Sequence, residues 1–250
     1  MGFDMRSALK SKQPLIGTIV SLPCPQIAEI LSCSGFDWLF IDGEHAPLGP
    51  LEIQSILQAV HERCPCVVRI PSNEEVYIKQ VLDCGTSGVI APRVNSAETA
   101  EQVVRFAKYP PQGERSVGIS RAHGYGMHFE DYMERANDET AIIVQIEHIE
   151  GVDSIDSILD TEGVDGVFIG PYDLSASLGK TGNLSDPEVL RCIHHVRDRC
   201  LDRQKPVGIF TMDAGAVSSL VDEGYTLIAM GMDTMMLGAS AKRMLDKARS

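Results

Sequence analysis

The stretch AIIVQIEHIEGVDSIDSILDTEGVDGVFIGPYD, residues 141–173, decides the fold. Its opening, Ala141 to Ile146, is nearly continuously apolar, the pattern of a parallel strand buried on both faces. Ile155 to Leu159 then follows a helical spacing, and Gly166 to Ile169 is a second apolar run. Strand, helix and strand in that order make a βαβ unit of parallel sheet. The alternation continues outward on both sides. Upstream, Leu15 to Leu22, Asp37 to Ile41, Cys66 to Ile70 and Gly88 to Ala91 read as strands; downstream, Val207 to Phe210 and Thr226 to Met230 do. Helical patterns occupy the intervals: Leu51 to Val60, Val76 to Leu82, Ala97 to Ala107, Val189 to Leu201, Ala214 to Val221 and Met235 to Ala248. Eight βα pairs in 250 residues predict an α/β fold of the (β/α)8 TIM-barrel class. A doubly wound sheet shares the alternation, which by itself does not show that a sheet closes. No linker and no repeat interrupts the pattern, so one domain over residues 1–250 is expected. Tyr109 to Tyr132, with Pro110-Pro111 and four glycines, reads as a long irregular loop.

Composition narrows the function. The chain is 44% hydrophobic and 23% charged, as globular proteins are. Its net charge of −13, with no basic cluster, argues against nucleic acid as a partner. No apolar run approaches the roughly 20 residues that cross a bilayer. Asp4, Arg6 and Lys10 interrupt any signal-peptide core, and Met1-Gly2 has no Ser or Thr at the sixth position for myristoylation. A cytoplasmic location is the expectation. Seven cysteines without a Cys-x-x-Cys pair read as buried thiols in a reducing compartment, neither a disulfide framework nor a zinc site.

In a barrel, reactive groups belong at the C-terminal ends of strands. Four strands end in Asp42-Gly43-Glu44-His45, Arg69-Ile70-Pro71, Gln145-Ile146-Glu147 and Gly170-Pro171-Tyr172-Asp173. Glu147 and Asp173 are hard oxygen donors on neighbouring strands, suited to a divalent cation such as Mg²⁺ or Mn²⁺ that keeps open positions for substrate oxygens. Arg69, at the end of an apolar strand, suits a carboxylate or a developing enolate oxygen; the alternative is a structural ion pair with rim carboxylates. His45 can move a proton near neutral pH, and Asp42 and Glu44 stand beside it. Other motifs fail on spacing. Gly179-Lys180-Thr181 lacks the first glycine of a phosphate loop, because position 174 is Leu174. Gly118-Ile119-Ser120-Arg121-Ala122 lacks the last glycine of a nucleophile elbow. His194-His195 lies mid-helix and reads as surface.

Together, Phe36-Asp37-Trp38 through Asp42-Gly43-Glu44-His45-Ala46-Pro47, Tyr109-Pro110-Pro111-Gln112-Gly113-Glu114-Arg115, Val144-Gln145-Ile146-Glu147 and Gly163 through Ser175 closely resemble the HpcH/HpaI aldolase family over nearly the whole chain. The resemblance implies a metal-dependent (class II) pyruvate aldolase on a barrel of the phosphoenolpyruvate/pyruvate type, with Co²⁺ as a further metal. By motif, Glu147 and Asp173 would hold the metal, and Gln145 with the backbone at Tyr172 and Asp173 would contact the pyruvyl group. His45 would be the base, Arg69 the transition-state stabiliser and Asp83 the carboxylate that raises the basicity of His45. Spacing alone names Asp42 for that last role, and the two stay open. His148 stands where such aldolases usually have Thr, and Ser72 where Trp is common; both departures bear on substrate choice.

The expected reaction is reversible aldol cleavage of a 4-hydroxy-2-oxo acid to pyruvate and an aldehyde. Alternatives are a CoA-thioester lyase of the citryl or malyl type and a non-catalytic keto-acid binder. A Schiff-base aldolase would need a lysine at an inward strand end, and none is placed there. The apolar stripe Met235-Met236-Leu237 with Ala241, Met244, Leu245 and Ala248 lies on a terminal helix of about residues 234–249. It packs either on its own barrel or, as the resemblance implies, on another subunit of a hexamer.

Overall fold

The computed structural model describes residues 4–250; Met1-Gly2, read above for a lipidation signal, lie outside the described residues. Eight parallel strands form one closed barrel in sequence order, and pairing of the first with the last excludes the open, doubly wound sheet. They are β1 (Leu15–Val20), β2 (Trp38–Asp42), β3 (Cys66–Arg69), β4 (Gly88–Ala91), β5 (Ala141–Ile146), β6 (Gly166–Ile169), β7 (Val207–Thr211) and β8 (Leu227–Met232). The helices are α1 (Met5–Ser11), α2 (Pro25–Ser32), α3 (Pro50–Val60), α4 (Glu75–Asp83), α5 (Ala97–Ala107), α6 (Phe129–Glu139), α7 (Ile149–Asp153), α8 (Ile155–Asp160), α9 (Pro171–Ser177), α10 (Pro187–Asp202), α11 (Val217–Asp222) and α12 (Asp233–Arg249).

Successive side chains on a strand point to opposite faces, so each buried strand feeds two cores. Leu39 and Ile41 of β2 and Val68 of β3 join the layer between sheet and helices, where Ile53, Ile56 and Val60 of α3 pack. Trp38, Phe40, Val67, Ile143 and Phe168 fill the barrel interior. There the rings of Trp38, Phe40 and Phe168 contact one another edge-on or tilted, with centroids 5.5–6.4 Å apart. Space for these rings comes from glycines: a Cβ on Gly17 would lie 2.5 Å from Trp38 Nε1, and one on Gly208 2.6 Å from Phe168 Cδ2. Helix α1 closes the floor. Asp4 caps it by accepting from the N–H groups of Arg6 and Ser7, and Met5 and Leu9 enter the interior cluster. Arg6 fixes α1 to the barrel through a 2.6 Å bond to Asp165, whose other oxygen accepts from the N–H of Ile142.

The stretch from Tyr109 to Tyr132 is more ordered than its composition suggests. Glu114 and Arg115 donate backbone hydrogen bonds to Arg105 and Lys108 carbonyls at 2.7 and 2.9 Å. Gly113 sits so close to those carbonyls that a Cβ would come within 2.5 Å of both. This seats Arg115, fully buried, 2.6 Å from Asp83, 3.2 Å from the Tyr132 hydroxyl and over the Tyr109 ring. A 3-10 turn, Arg121–Gly126, and α6 complete a strap across the outside of the barrel. All seven cysteines are free, and burial pushes the thiols of Cys64 and Cys200 up to about 12, so they behave as packing groups.

Candidate active site

The inward parity of the strands, carried to their C-terminal ends, assembles the site. In β2 the inward series is Trp38, Phe40, Asp42; in β3 it is Val67, Arg69; in β5 it is Ala141, Ile143, Gln145, and Glu147 follows in step. The interior is therefore apolar below and ionisable at its upper rim. Arg69 ties two strands together there. Its Nε donates to Asp42 Oδ1 at 3.0 Å, its Nη2 lies 2.9 Å from Asp42 Oδ2 and its Nη1 3.3 Å from Glu44 Oε2, with the guanidinium over the Phe40 ring. Asp42 Oδ1 also accepts from the N–H groups of Glu44 and His45, which shapes the loop that carries the imidazole.

Glu147 is buried and held from both sides: Oε1 accepts from the Arg93 N–H at 2.8 Å, and Oε2 accepts from Gln145 Nε2. Gly170 permits this, since a Cβ would lie 2.9 Å from Glu147 Oε2 and from Gln145 Nε2. Asp173 projects from the first turn of α9, where the N–H groups of Tyr172 and Asp173 have no helical acceptor. Glu44, His45, Arg93, Glu147, His148 and Asp173 line one rim cleft of about 340 Å³. A larger cavity, about 510 Å³, lies between α3 and the strap and includes none of these rim residues, so size does not mark the chemistry.

Charge makes the cleft unusual. Burial raises the Glu147 carboxyl to about 7, and the negative charges of Glu44 and Asp173 add to that, against the Arg93 N–H and Arg69. Burial also raises Glu44. Asp42 goes the other way: burial would raise it, but Arg69 and the two backbone donors hold it below the ordinary carboxylate range. Glu44, Glu147 and Asp173 thus line the cleft with one guanidinium, that of Arg93, and among the described residues Glu147 has no salt-bridge partner.

The donor set fits a divalent cation. Among the described residues no cluster offers three or more His, Cys, Asp or Glu ligands, so Glu147 and Asp173 would leave most positions to water and substrate. The buried Oε1 of Gln145 has no hydrogen-bond partner beside Glu147, an orphan acceptor where a cation or a donor group belongs.

His45 stands at the mouth, its side chain 63% exposed, with Nε2 3.6 Å from Glu44 Oε2. The carboxylate beside the ring is therefore Glu44; Asp42 holds the backbone. Asp83, which the resemblance assigns to His45, is not brought to it within one chain. It is the last residue of α4, at the end of the barrel where β4 begins, and it pairs with Arg115. No lysine lines the cleft among the described residues. Lys108, the amine that burial lowers to about 8, donates to the Asn137 and Thr140 carbonyls at the strap. Lys180 is spent on Asp186 and Glu188, and His194 and His195 are exposed on α10. Arg93 is a site residue that the strand-end reading passed over. It follows β4 directly, so the same filter applied to Ala91-Pro92-Arg93 finds it.

The family model described as HpcH/HpaI aldolase/citrate lyase matches residues 16–239. The chain is similar to the 5-keto-4-deoxy-D-glucarate aldolase of Escherichia coli O139:H28, 40% identical over 243 residues that cover 96% of this chain and 94% of that protein. Among solved structures it is similar to an HpcH/HpaI aldolase/citrate lyase family protein from Burkholderia cenocepacia J2315, with a TM-score of 0.95, 35% identity and coverage of 98% and 99% of the two chains. It is also similar to the HpcH/HpaI aldolase from Desulfitobacterium hafniense DCB-2, with a TM-score of 0.92, 33% identity and coverage of 100% and 98%.

Proposed function

Because the chain belongs to the HpcH/HpaI aldolase/citrate lyase family, we propose that its rim cleft is the centre of a divalent-metal-dependent aldolase that reversibly cleaves a 4-hydroxy-2-oxo acid to pyruvate and an aldehyde. The chain is a carbon–carbon lyase, and the substrate named for its Escherichia coli relative, a keto-deoxy diacid, is one member of that class. The observation that carries the reading is the buried, charge-crowded Glu147 carboxyl facing one cleft with Asp173.

Glu147 and Asp173 would hold the cation, Mg²⁺ or Mn²⁺ by their hard oxygen donors. When bound it would supply Lewis-acid chemistry to the substrate's 2-oxo acid group. The first-turn N–H groups of α9 at Tyr172 and Asp173 orient the substrate carboxylate, and Gln145 meets the keto group. His45, free at the mouth, takes the proton of the C4 hydroxyl; the C3–C4 bond breaks and its electron pair passes to the pyruvate enolate. Arg69 faces the negative charge that develops there, and its bonds to Asp42 and Glu44 fix it beforehand, so no reorganisation is needed at that moment. Protonation at C3 releases pyruvate.

The test is pyruvate release from a 4-hydroxy-2-oxo acid by protein stripped with EDTA and reloaded with Mg²⁺, Mn²⁺ or Co²⁺. Release is expected only after reloading, and Glu147→Ala should abolish the recovery. Full turnover in the stripped protein, or none with any metal, sinks the reading.

A further inference from the structure

Arg93 carries a charge that the described molecule does not use. It follows β4 and Pro92 with φ +49°, a left-handed backbone that side-chain-bearing residues seldom adopt. Three bonds hold that backbone in place. The Arg93 N–H donates to Glu147 Oε1 at 2.8 Å, the Val94 N–H to the Gln145 carbonyl at 3.1 Å, and Asn73 Nδ2 to the Pro92 carbonyl at 2.8 Å. The Cα of Arg93 is therefore fixed one hydrogen bond from Glu147, while its side chain is exposed and lines the cleft.

The neighbouring rim guanidinium is committed: Arg69 is shared between Asp42 and Glu44. The Arg93 guanidinium is not. Among the described residues no carboxylate lies within 4 Å of it and it makes no side-chain hydrogen bond, although Glu147 and Asp173 line the same cleft. Only its backbone reaches Glu147. The positive fork thus lines the cleft without pairing with any of its carboxylates. A planar fork with free N–H donors in a partly enclosed anionic cleft suits a carboxylate.

We infer that Arg93 is the specificity-determining residue for the aldehyde half: its guanidinium binds a carboxylate at the far end of that half and selects diacid substrates over those with a neutral tail. This rests on the aldolase reading and adds to it the class of the leaving aldehyde, a semialdehyde acid.

The test is aldol addition of pyruvate by the metal-loaded enzyme to matched aldehydes: succinic semialdehyde against butanal, and glyoxylate against acetaldehyde. Wild type should prefer at least one acid over its neutral match by ~10-fold or more in kcat/KM. Arg93→Ala should raise KM for that acid by ~10- to 100-fold, the range of a charge-assisted hydrogen bond, and leave its neutral match within about twofold. Arg93→Lys should recover part of the loss. Arg93→Asn, whose side chain tolerates a left-handed backbone, should behave as Ala does and guards against a folding defect. Equal losses for acid and neutral partners, no loss, or no acid preference in wild type overturns the inference while the aldolase reading stands. Wild type that forms no adduct with any aldehyde sinks the aldolase reading and takes this inference with it.

Discussion

Arg69 reaches two carboxylates from three nitrogens with its Cζ 5.2 Å from the Phe40 ring centroid, a geometry only a guanidinium can satisfy. Lysine, a point charge, would satisfy one partner and leave the other buried without a cation. Arg69→Lys should therefore lower kcat by about 10²- to 10³-fold, the usual loss of one oxyanion donor, and also lower the melting temperature; steady-state pyruvate release and calorimetry on one preparation read both. His45 behaves differently because its ring is exposed and supports nothing. His45→Ala should cost about 10²- to 10⁴-fold in kcat with an unchanged melting temperature, and a lowered one would reassign the residue to structure. At this scale strand parity made Asp42, Arg69, Gln145 and Glu147 legible, since each ends an apolar run in step with inward residues. What parity does not carry is loop geometry. The contact of Glu44 with the His45 ring depends on how Asp42 folds the loop, and Asp83 sits at a helix end, which lies opposite the strand ends that face the rim.

Between elements, Asp233 is the strongest clasp. Its carboxylate accepts from the N–H groups of Ser21, Leu22 and Thr234 and from the Ser21 hydroxyl, which binds the exit of β1 to the start of α12. An asparagine in its place would offer one accepting oxygen instead of two, so Asp233→Asn should cost about 2–3 kcal/mol and lower Tm by roughly 5–10 °C, read by calorimetry; no shift would show that α12 is not anchored there. A second clasp is Lys108, which joins α5 to α6. Burial, then the charge of Arg6, brings its amine from 10.5 to about 8. The folded protein releases this proton more readily than the unfolded chain, so between about pH 8 and 10.5 the unfolded chain binds more protons and the residue's contribution to stability rises with pH. The unfolding free energy of wild type minus that of Lys108→Met should be flat below pH 8 and climb through that window. A flat difference throughout would place the amine at its ordinary value. Strands were readable because burial on both faces leaves little polar signal to confuse. Helices α1, α2, α6, α7 and α9 were not: α6 buries only Ala136, α1 only Met5 and Leu9, α7 only Gly151 and Val152, and α9 only Leu174 and Ser175, while α2 buries two small residues, Ala28 and Ser32, beside Leu31, so little apolar period shows.

For the whole molecule, closure of the sheet was the step alternation left open, because it depends on β8 meeting β1 across the full length of the chain. No described helix is long and apolar enough to cross a membrane, yet among the exposed apolar side chains two groups lie close in sequence. Met235, Leu237, Met244 and Leu245 stand out on α12, whose only buried residue is Asp233, and Val117, Ile119 and Met127 stand out on the strap. Of the terminal stripe, Met236 packs against the barrel's own core, while these four side chains of α12 stay exposed. Exposed apolar area of this kind marks contact with another surface, and a helix held near its start, at Asp233 and Met236, and exposed beyond Ser240 is suited to exchange between copies. The pairing of Asp83 with His45 that the family resemblance implies could likewise form only between copies, since one chain holds the two at opposite ends. Sedimentation should give an assembly several times 27.3 kDa, sixfold if it is the hexamer implied by resemblance. Removing residues 234–250 keeps Asp233 and all eight strands, so the barrel should retain its circular dichroism while the assembly falls to smaller species. A wild-type monomer, or an assembly untouched by the truncation, would mean that the apolar face of α12 meets no other subunit.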